Sequence, residues 1–412
     1  MTKKMEFINF HRPAIGSEEI KEVTDCLKSG WLTTGMRTKQ FEAEFAKYTG
    51  AKFAVALNSC TAALHLALEA LGLKAGELVL VPTMTFAATA EVVRYFNAIP
   101  VLVDCHEDDF NIDFFKAEKI IKDINAGRKV PGVPKKHGRL RGMIPVHFGG
   151  HPVDVEEALR LKEKYNLFIV EDCAHCCPAY YGDSSGRMKM AGRSADIACY
   201  SFYANKTITT GEGGMATTDN EEWADRMRIM SLHGISRDAW KRFTKSGSWF
   251  YEILEPGFKY NLTDIASAIG IHQLRKADKF MKERKKIADY YGSRLKGVPG
   301  LALPSQKNGF LHSWHLYEIR IDSKVTGIHR NEVIEKLKEN NIGSSVHYIP
   351  LHLHPYYRDK YGLKKGDLPN AEKLYDQCLS LPIFPGLKKT ELDWICGTLK
   401  KVLGGGKLAE VK

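Results

Sequence analysis

Between about residues 51 and 215 the chain alternates short, β-branched apolar runs with amphipathic stretches of helical period. This alternation restricts the fold more than any other feature. Strands joined by helices run parallel, and a parallel sheet has to be covered on both faces. Strands are predicted at 78–81, 100–104, 167–170, 196–200 and 214–217, with another unit beginning in 141–147. A helix is expected over 85–96, and Asp154 can cap one that runs to Tyr165.

Past residue 263 the character changes. A long amphipathic helix is predicted from Asp264 towards Leu295, started by Leu262-Thr263-Asp264. A strand at 315–321, a helix over 331–340 and helices near Ala371 and Thr390 follow. These make a second, smaller α/β domain, so the 412 residues divide into a large domain, 1–262, and a small one, 263–412. The polar tail beyond Gly404 is expected to fray. The stretch 126–141 combines Gly and Pro with clustered Lys and Arg, and reads as a basic surface loop. A phosphate-gripping role is the alternative there.

Composition narrows the function classes. Nine cysteines, an odd number spread over a long chain, suit reduced thiols and not a disulfide framework. No apolar run is long enough to span a bilayer, and the polar start lacks a signal-peptide core. A soluble cytoplasmic protein is expected. The net charge of +11 suits an anionic small substrate. No nucleic-acid-binding module accompanies it, and part of it lies on the stretch 275–286, which reads as a solvated helix face.

Three segments carry chemistry. In Ser201-Phe-Tyr-Ala-Asn-Lys206, followed by Gly211-Glu-Gly-Gly214, a lysine lies between a buried strand and a glycine-rich turn. Burial lowers an amine's pKa and makes it a nucleophile towards an aldehyde; taken alone, the pattern equally fits a lysine on a strand-end loop. In Leu167-Phe-Ile-Val-Glu171-Asp172-Cys-Ala-His175, an apolar strand ends in two carboxylates at the ligand-binding edge of an α/β sheet. One carboxylate there can keep a pyridine nitrogen protonated, or simply cap a helix. Ser59-Cys60-Thr61 opens a helix marked by Leu64, Leu68 and Leu71, and serves as an anion site or a plain N-cap. A rival local reading is zinc at Cys173-Ala-His175-Cys176-Cys177, but no second ligand pair accompanies it, and no metal is expected.

These segments, with Gly30-Trp-Leu-Thr-Thr-Gly35, Pro82-Thr-Met-Thr-Phe86 and Phe258-Lys-Tyr-Asn-Leu-Thr-Asp264, resemble the DegT/DnrJ/EryC1/StrS family of sugar aminotransferases. The resemblance runs over nearly the whole chain. It implies the α/β PLP-dependent transferase fold type I, with pyridoxal 5′-phosphate as cofactor. By that likeness Lys206 would hold the cofactor as an internal aldimine and then shuttle protons. Asp172 would pair with the pyridine nitrogen, Phe86 would stack on the ring, and His175 would lie beside it. Cys60, Thr61 and Ser201 would contact the phosphate. Asn261 would reach it from the neighbouring subunit of a homodimer with shared sites. Trp31, Thr33, His347 and Tyr348 are candidates for sugar contact, with a structural role equally open for each.

The implied reaction takes an amino group from glutamate, through a pyridoxamine phosphate intermediate, to a nucleotide-linked keto sugar. The run Lys-Tyr-Asn-Leu-Thr-Asp and Trp314-His315-Leu316 look most like the branch that makes 4-amino-4-deoxy-L-arabinose on UDP, which favours a 4-keto sugar. Cys60 stands where many relatives have Gly, and the basic stretch is longer than usual. Two rival readings are a pyridoxamine-dependent sugar dehydratase and a catalytically silent sensor or interaction protein. Lys206 opposes the first, since those relatives carry His there. Lys206, Asp172 and Thr61 together oppose the second.

Overall fold

The computed structural model describes residues 5–183, 185–236 and 250–404. In chain order, α1 (Ser17–Ser29) and α2 (Met36–Thr49) precede β1 (Phe53–Leu57) and α3 (Cys60–Ala70). Then come β2 (Leu78–Pro82), α4 (Ala88–Tyr95), β3 (Ile99–Val103), α5 (Phe114–Asn125) and β4 (Leu140–Met143). Next are α6 (Val155–Tyr165), β5 (Phe168–Asp172), β6 (Tyr180–Gly182), β7 (Met188–Met190), β8 (Ile197–Ser201), β9 (Gly214–Thr218) and α7 (Glu221–Met230). After these follow α8 (Asp264–Arg275), α9 (Ala277–Leu295), β10 (Leu301–Ala302), β11 (Phe310–Leu311), β12 (Tyr317–Ile321) and α10 (Ser323–Thr326). The last are α11 (Arg330–Glu339), α12 (Pro355–Tyr361), α13 (Pro369–Gln377), β13 (Cys378–Leu381) and α14 (Lys389–Gly404).

The main sheet has the order β1-β9-β8-β5-β4-β2-β3. Only β9 runs against its neighbours; the other pairings are parallel. Side chains alternate across it. Val79 and Val81 pack with Leu64, Leu68, Val92 and Val93 of α3 and α4 on one face. Leu78 and Leu80 pack with Phe114 and Ile121 of α5 and Leu161 of α6 on the other. The sheet is therefore a filled middle layer, with its carboxyl edge open to ligands. Asp154 caps α6, accepting from the Glu157 N–H at 3.2 Å.

A second core gathers Ile287, Tyr291 and Leu295 of α9, the strands β12 and β13, and Ile395 and Leu399 of α14. Two features differ from the sequence reading. The helix expected over 264–295 breaks at Lys276 into α8 and α9. Ile271 and Leu274 of α8, with Ala277 and Phe280 of α9, pack beside Phe41, Phe45 and Phe202 of the first core, while Ile8 joins the second. We propose that the chain passes between cores inside α9, not at 262/263, and that the segment around Ile8, bridged to Ile342, belongs with the small domain.

The basic stretch 126–141 has no regular structure before Leu140 and is mostly exposed. Arg128 pairs with Asp123, and Arg139 and Arg141 with Glu77. The tail beyond Gly404 lies outside the described residues.

Candidate active site

The parallel strands β5 and β8 are neighbours and end at the same edge, so Asp172 and Ser201 finish side by side in the sheet's middle. Glu171 and Asp172, which the segment alone does not tell apart and the resemblance does, part company because strand residues alternate. Glu171 turns away. It accepts from His147 Nε2 at 2.9 Å and from the Gly192 N–H at 2.6 Å. Asp172 accepts from the Thr89 hydroxyl at 2.9 Å and the Ala174 N–H at 3.1 Å. Burial pushes its carboxyl pKa up, against those hydrogen bonds and the Lys206 charge.

Lys206 follows β8 on a turn, its N–H bonded to the Tyr203 carbonyl at 2.9 Å. The residue is half-buried, but the protein packed around its amine penalises the ammonium and lowers the pKa to about 8. Asp172 and then Cys60 oppose that shift. Lysine, carboxylate and the first turn of α3 thus share one electrostatic environment.

That first turn is built for an anion. Ser59 is the N-cap, accepting from the Ala62 N–H at 3.0 Å. Among the described residues the N–H groups of Cys60 and Thr61 and the Thr61 hydroxyl have no partner. Gly214 makes the close approach possible: a Cβ there would lie 2.4 Å from the Ser59 carbonyl and 2.5 Å from the Cys60 nitrogen. The same Gly214 pairs with Ser201 on one side and Leu57 on the other, which brings the serine to the helix start.

Phe86 is 63% exposed and lies 6.1 Å from the Tyr348 ring. His175 is buried, and its ring accepts at Nδ1 from the Gly149 N–H at 3.1 Å. Its Nε2 therefore carries the proton and donates to the Tyr348 hydroxyl oxygen, 3.1 Å away. Burial, followed by the Lys206 charge, keeps this imidazole neutral, well below the usual histidine range. Burial also pushes the Tyr348 phenol up, so that it stays a donor. His315, which the sequence reading did not single out for the site, lies against His175 with ring centres 4.4 Å apart. Thr89 of α4, which supports Asp172, is itself joined hydroxyl to hydroxyl at 2.7 Å to Thr85, just before that helix.

A second cluster joins the remaining candidates. Trp31 donates from Nε1 to the Thr34 carbonyl at 3.1 Å, and Thr33 accepts at its carbonyl from the Asp264 N–H. Asn261 donates to the Thr34 hydroxyl at 2.7 Å and accepts from Lys259 at 2.6 Å. Asp264 caps α2 from outside, taking the N–H groups of Gly35, Arg37 and Thr38 and the Thr38 hydroxyl. Within one chain these bonds bind the 31–35 loop to the 259–264 segment.

The zinc reading meets a different arrangement. Ligand atoms of His147, Glu171 and Cys173 lie within 4.8 Å of one another. Both His147 nitrogens are already bonded, however, to Glu171 and to the Val153 N–H. Cys173, Cys176 and Cys177 are buried, and burial raises each thiol pKa.

A sheet of this order, with an amine and a carboxylate meeting at its carboxyl edge, is the frame of the fold-type-I pyridoxal-phosphate aminotransferases, and this protein is one of them. Residues 13–400 match the DegT/DnrJ/EryC1/StrS aminotransferase family, and the chain belongs to that family. The spore coat polysaccharide biosynthesis protein SpsC of Bacillus subtilis is 42% identical over 404 residues, 98% of this chain and 99% of that one. The putative sugar aminotransferase Spr1654 of Streptococcus pneumoniae, in its PMP form, superposes with a TM-score of 0.84 at 32% identity, covering 96% of this chain and 97% of the other. PseC of Helicobacter pylori, an aminotransferase of pseudoaminic acid biosynthesis, gives 0.84 at 27% identity, covering 98% and 100%. The protein is thus a sugar aminotransferase with pyridoxal phosphate as cofactor. The residues present fit that group: unpaired donors for its phosphate, an amine for its aldehyde and a buried carboxylate for its ring nitrogen.

Proposed function

We propose that the enzyme transfers an amino group from glutamate to a nucleotide-linked 4-keto sugar, as a cytoplasmic homodimer with shared sites. The observation that carries the chemistry is the Lys206 amine, lowered to about 8 by burial beside Asp172. All nine cysteines are unpaired thiols, which supports a reducing compartment. The net charge of +11 supports an anionic, diphosphate-linked substrate. Among the described residues no helix is long and apolar enough to cross a membrane.

Pyridoxal phosphate, when bound, supplies an aldehyde for the amino group and a ring that takes up the electron pair left when a proton departs. The protein does the rest. Lys206 Nζ is the base that takes the donor's α-proton and the acid that returns it. Asp172 holds the ring nitrogen's proton by hydrogen bond and charge. Cys60, Thr61 and Ser201 would hold the phosphate, joined by Asn261 from the neighbouring subunit, and Phe86 would pack against the ring. Neutral His175 orients Tyr348, whose own proton is free to donate to the substrate. Trp31, Thr33, His347 and Tyr348 bind the sugar.

The first test is the absorption spectrum of the purified protein, with Lys206→Ala beside it. The wild type should show an imine band that glutamate bleaches with release of 2-oxoglutarate. Lys206→Ala should neither form the band unaided nor turn over. A panel of nucleotide-linked keto sugars then reports the acceptor. A wild type that stays colourless with added pyridoxal phosphate would sink the reading.

A further inference from the structure

The acceptor half of the site holds a feature that the reaction described above does not use. Glu318 on β12 and Ser380 on β13 face each other across an antiparallel pair and are both buried. The Ser380 hydroxyl donates to Glu318 Oε1 at 2.5 Å, and Ser380 Oγ itself lies 2.7 Å from His347 Nδ1. A carboxylate only accepts, and a hydroxyl has one proton. With that proton committed to Glu318, the Ser380 oxygen can only accept from the ring. His347 Nδ1 must then bear the hydrogen. The second contact agrees, since Glu318 Oε1 is 3.5 Å from the same nitrogen. Phe10 stacks on the ring at 5.6 Å and holds its plane. Nε2 is left as a lone pair, and it makes no hydrogen bond among the described residues.

The geometry points to Glu318 and Ser380 as positioning residues that fix His347 in the Nδ1–H tautomer, so that Nε2 accepts a hydrogen bond from a hydroxyl of the sugar substrate. This rests on the sugar-aminotransferase reading and deepens it. The adjacent Tyr348 presents the opposite polarity, because its oxygen accepts from His175 and its proton is free. Neighbouring residues thus offer one acceptor and one donor. That pair matches a polyhydroxylated ring, in which each hydroxyl both donates and accepts; it suits a phosphate poorly, which at neutral pH mainly accepts.

The test uses holoenzyme labelled with ¹⁵N-histidine, with the His347 ring signals identified by their loss in His347→Gln. The wild-type spectrum should show a protonated Nδ1 and a bare Nε2. Ser380→Ala and Glu318→Ala, which break the relay at two points, should each move the proton to Nε2 or mix the two forms. In kinetics with a UDP-linked 4-keto-6-deoxyhexose, both variants should raise KM by roughly five- to tenfold, the scale of one neutral hydrogen bond. The rate of bleaching by glutamate should stay unchanged. A wild-type proton on Nε2 overturns the proposal even if neither variant folds, and so does a wild-type KM in both variants. A wild type that bleaches with glutamate but aminates no nucleotide sugar overturns the substrate reading instead, while the spectrum still decides the tautomer.

Discussion

Lys206 shows how one side chain acquires reactivity from its surroundings. A free lysine near pH 7 is almost wholly ammonium; this one, at about 8, is within reach of its neutral form. The sign follows directly. The amine is the nucleophile, so aldehyde capture by the apoenzyme should rise with pH through about 8, by roughly tenfold between pH 7 and 9. Stopped-flow absorbance with added pyridoxal phosphate measures this, and a rise of about a hundredfold over the same interval, as an ordinary lysine gives, would exclude a lowered pKa. Asp172 makes the complementary case. Asp172→Asn keeps the shape, losing only the charge proposed to hold the ring nitrogen's proton. The variant should still form the imine band, while turnover falls on the order of a hundredfold or more, the usual scale for a preorganised electrostatic partner. Which carboxylate does this work was not legible in Glu171-Asp172 as a string. The alternation of β5 decided it, sending one to His147 and the other to the cofactor edge.

At the scale of elements, local signals served well where local chemistry governs. Asp154, Thr263 and Ser59 all cap helices, as side chains that accept from early N–H groups do. They failed at one helix break and at one cap supplied from afar. The amphipathic pattern continues from Asp264 past Lys276, yet the helix breaks there. Lys276 Nζ reaches 2.8 Å from Glu19 and 3.0 Å from Glu18 on α1, a tie that no periodicity reveals. Nor does the sequence announce that α2, whose N-cap is Gly35, is capped by Asp264 from another helix. Gly214 belongs to this scale too, since its missing Cβ lets β9 lie against the start of α3. Gly214→Ala should force the Ser59–Cys60 backbone aside at a cost of about 1–3 kcal/mol. The expected result is weaker cofactor binding, by roughly tenfold or more, and a lower Tm. A pyridoxal phosphate titration with a thermal melt reads both.

For the whole molecule, the candidates fall into two bonded groups within one chain. Trp31, Thr33 and Asn261 are bonded into a single loop cluster, whereas Lys206, Asp172, His175 and Tyr348 form another. The proposed dimer assigns the first cluster to the neighbour's site. Mixing Lys206→Ala with Asn261→Ala subunits tests this: each homodimer should be impaired, and hybrids should regain activity because one of their sites has both residues. Activity no greater than the sum of the separate variants would exclude sharing. Arg284 shows a different whole-molecule dependence. It is fully buried and donates to the carbonyls of Trp314, His315 and Ile383, so a helix of the second core sets the loop behind His175. Burial lowers its pKa to about 9.

Patterning alone determined the layered α/β architecture and the strands and helices near the site, and it picked out the lysine, the carboxylate pair and the helix start as candidates. These are properties of short segments, set by side-chain period, capping and burial of the adjoining strand. Tertiary structure decided which carboxylate faces the lysine, where the chain changes core, how Asp264 and Lys276 are used, and which nitrogens of His175 and His347 carry protons. Each of those depends on a partner far along the chain. A hydrogen bond or an ion pair has its direction only once both groups are in place.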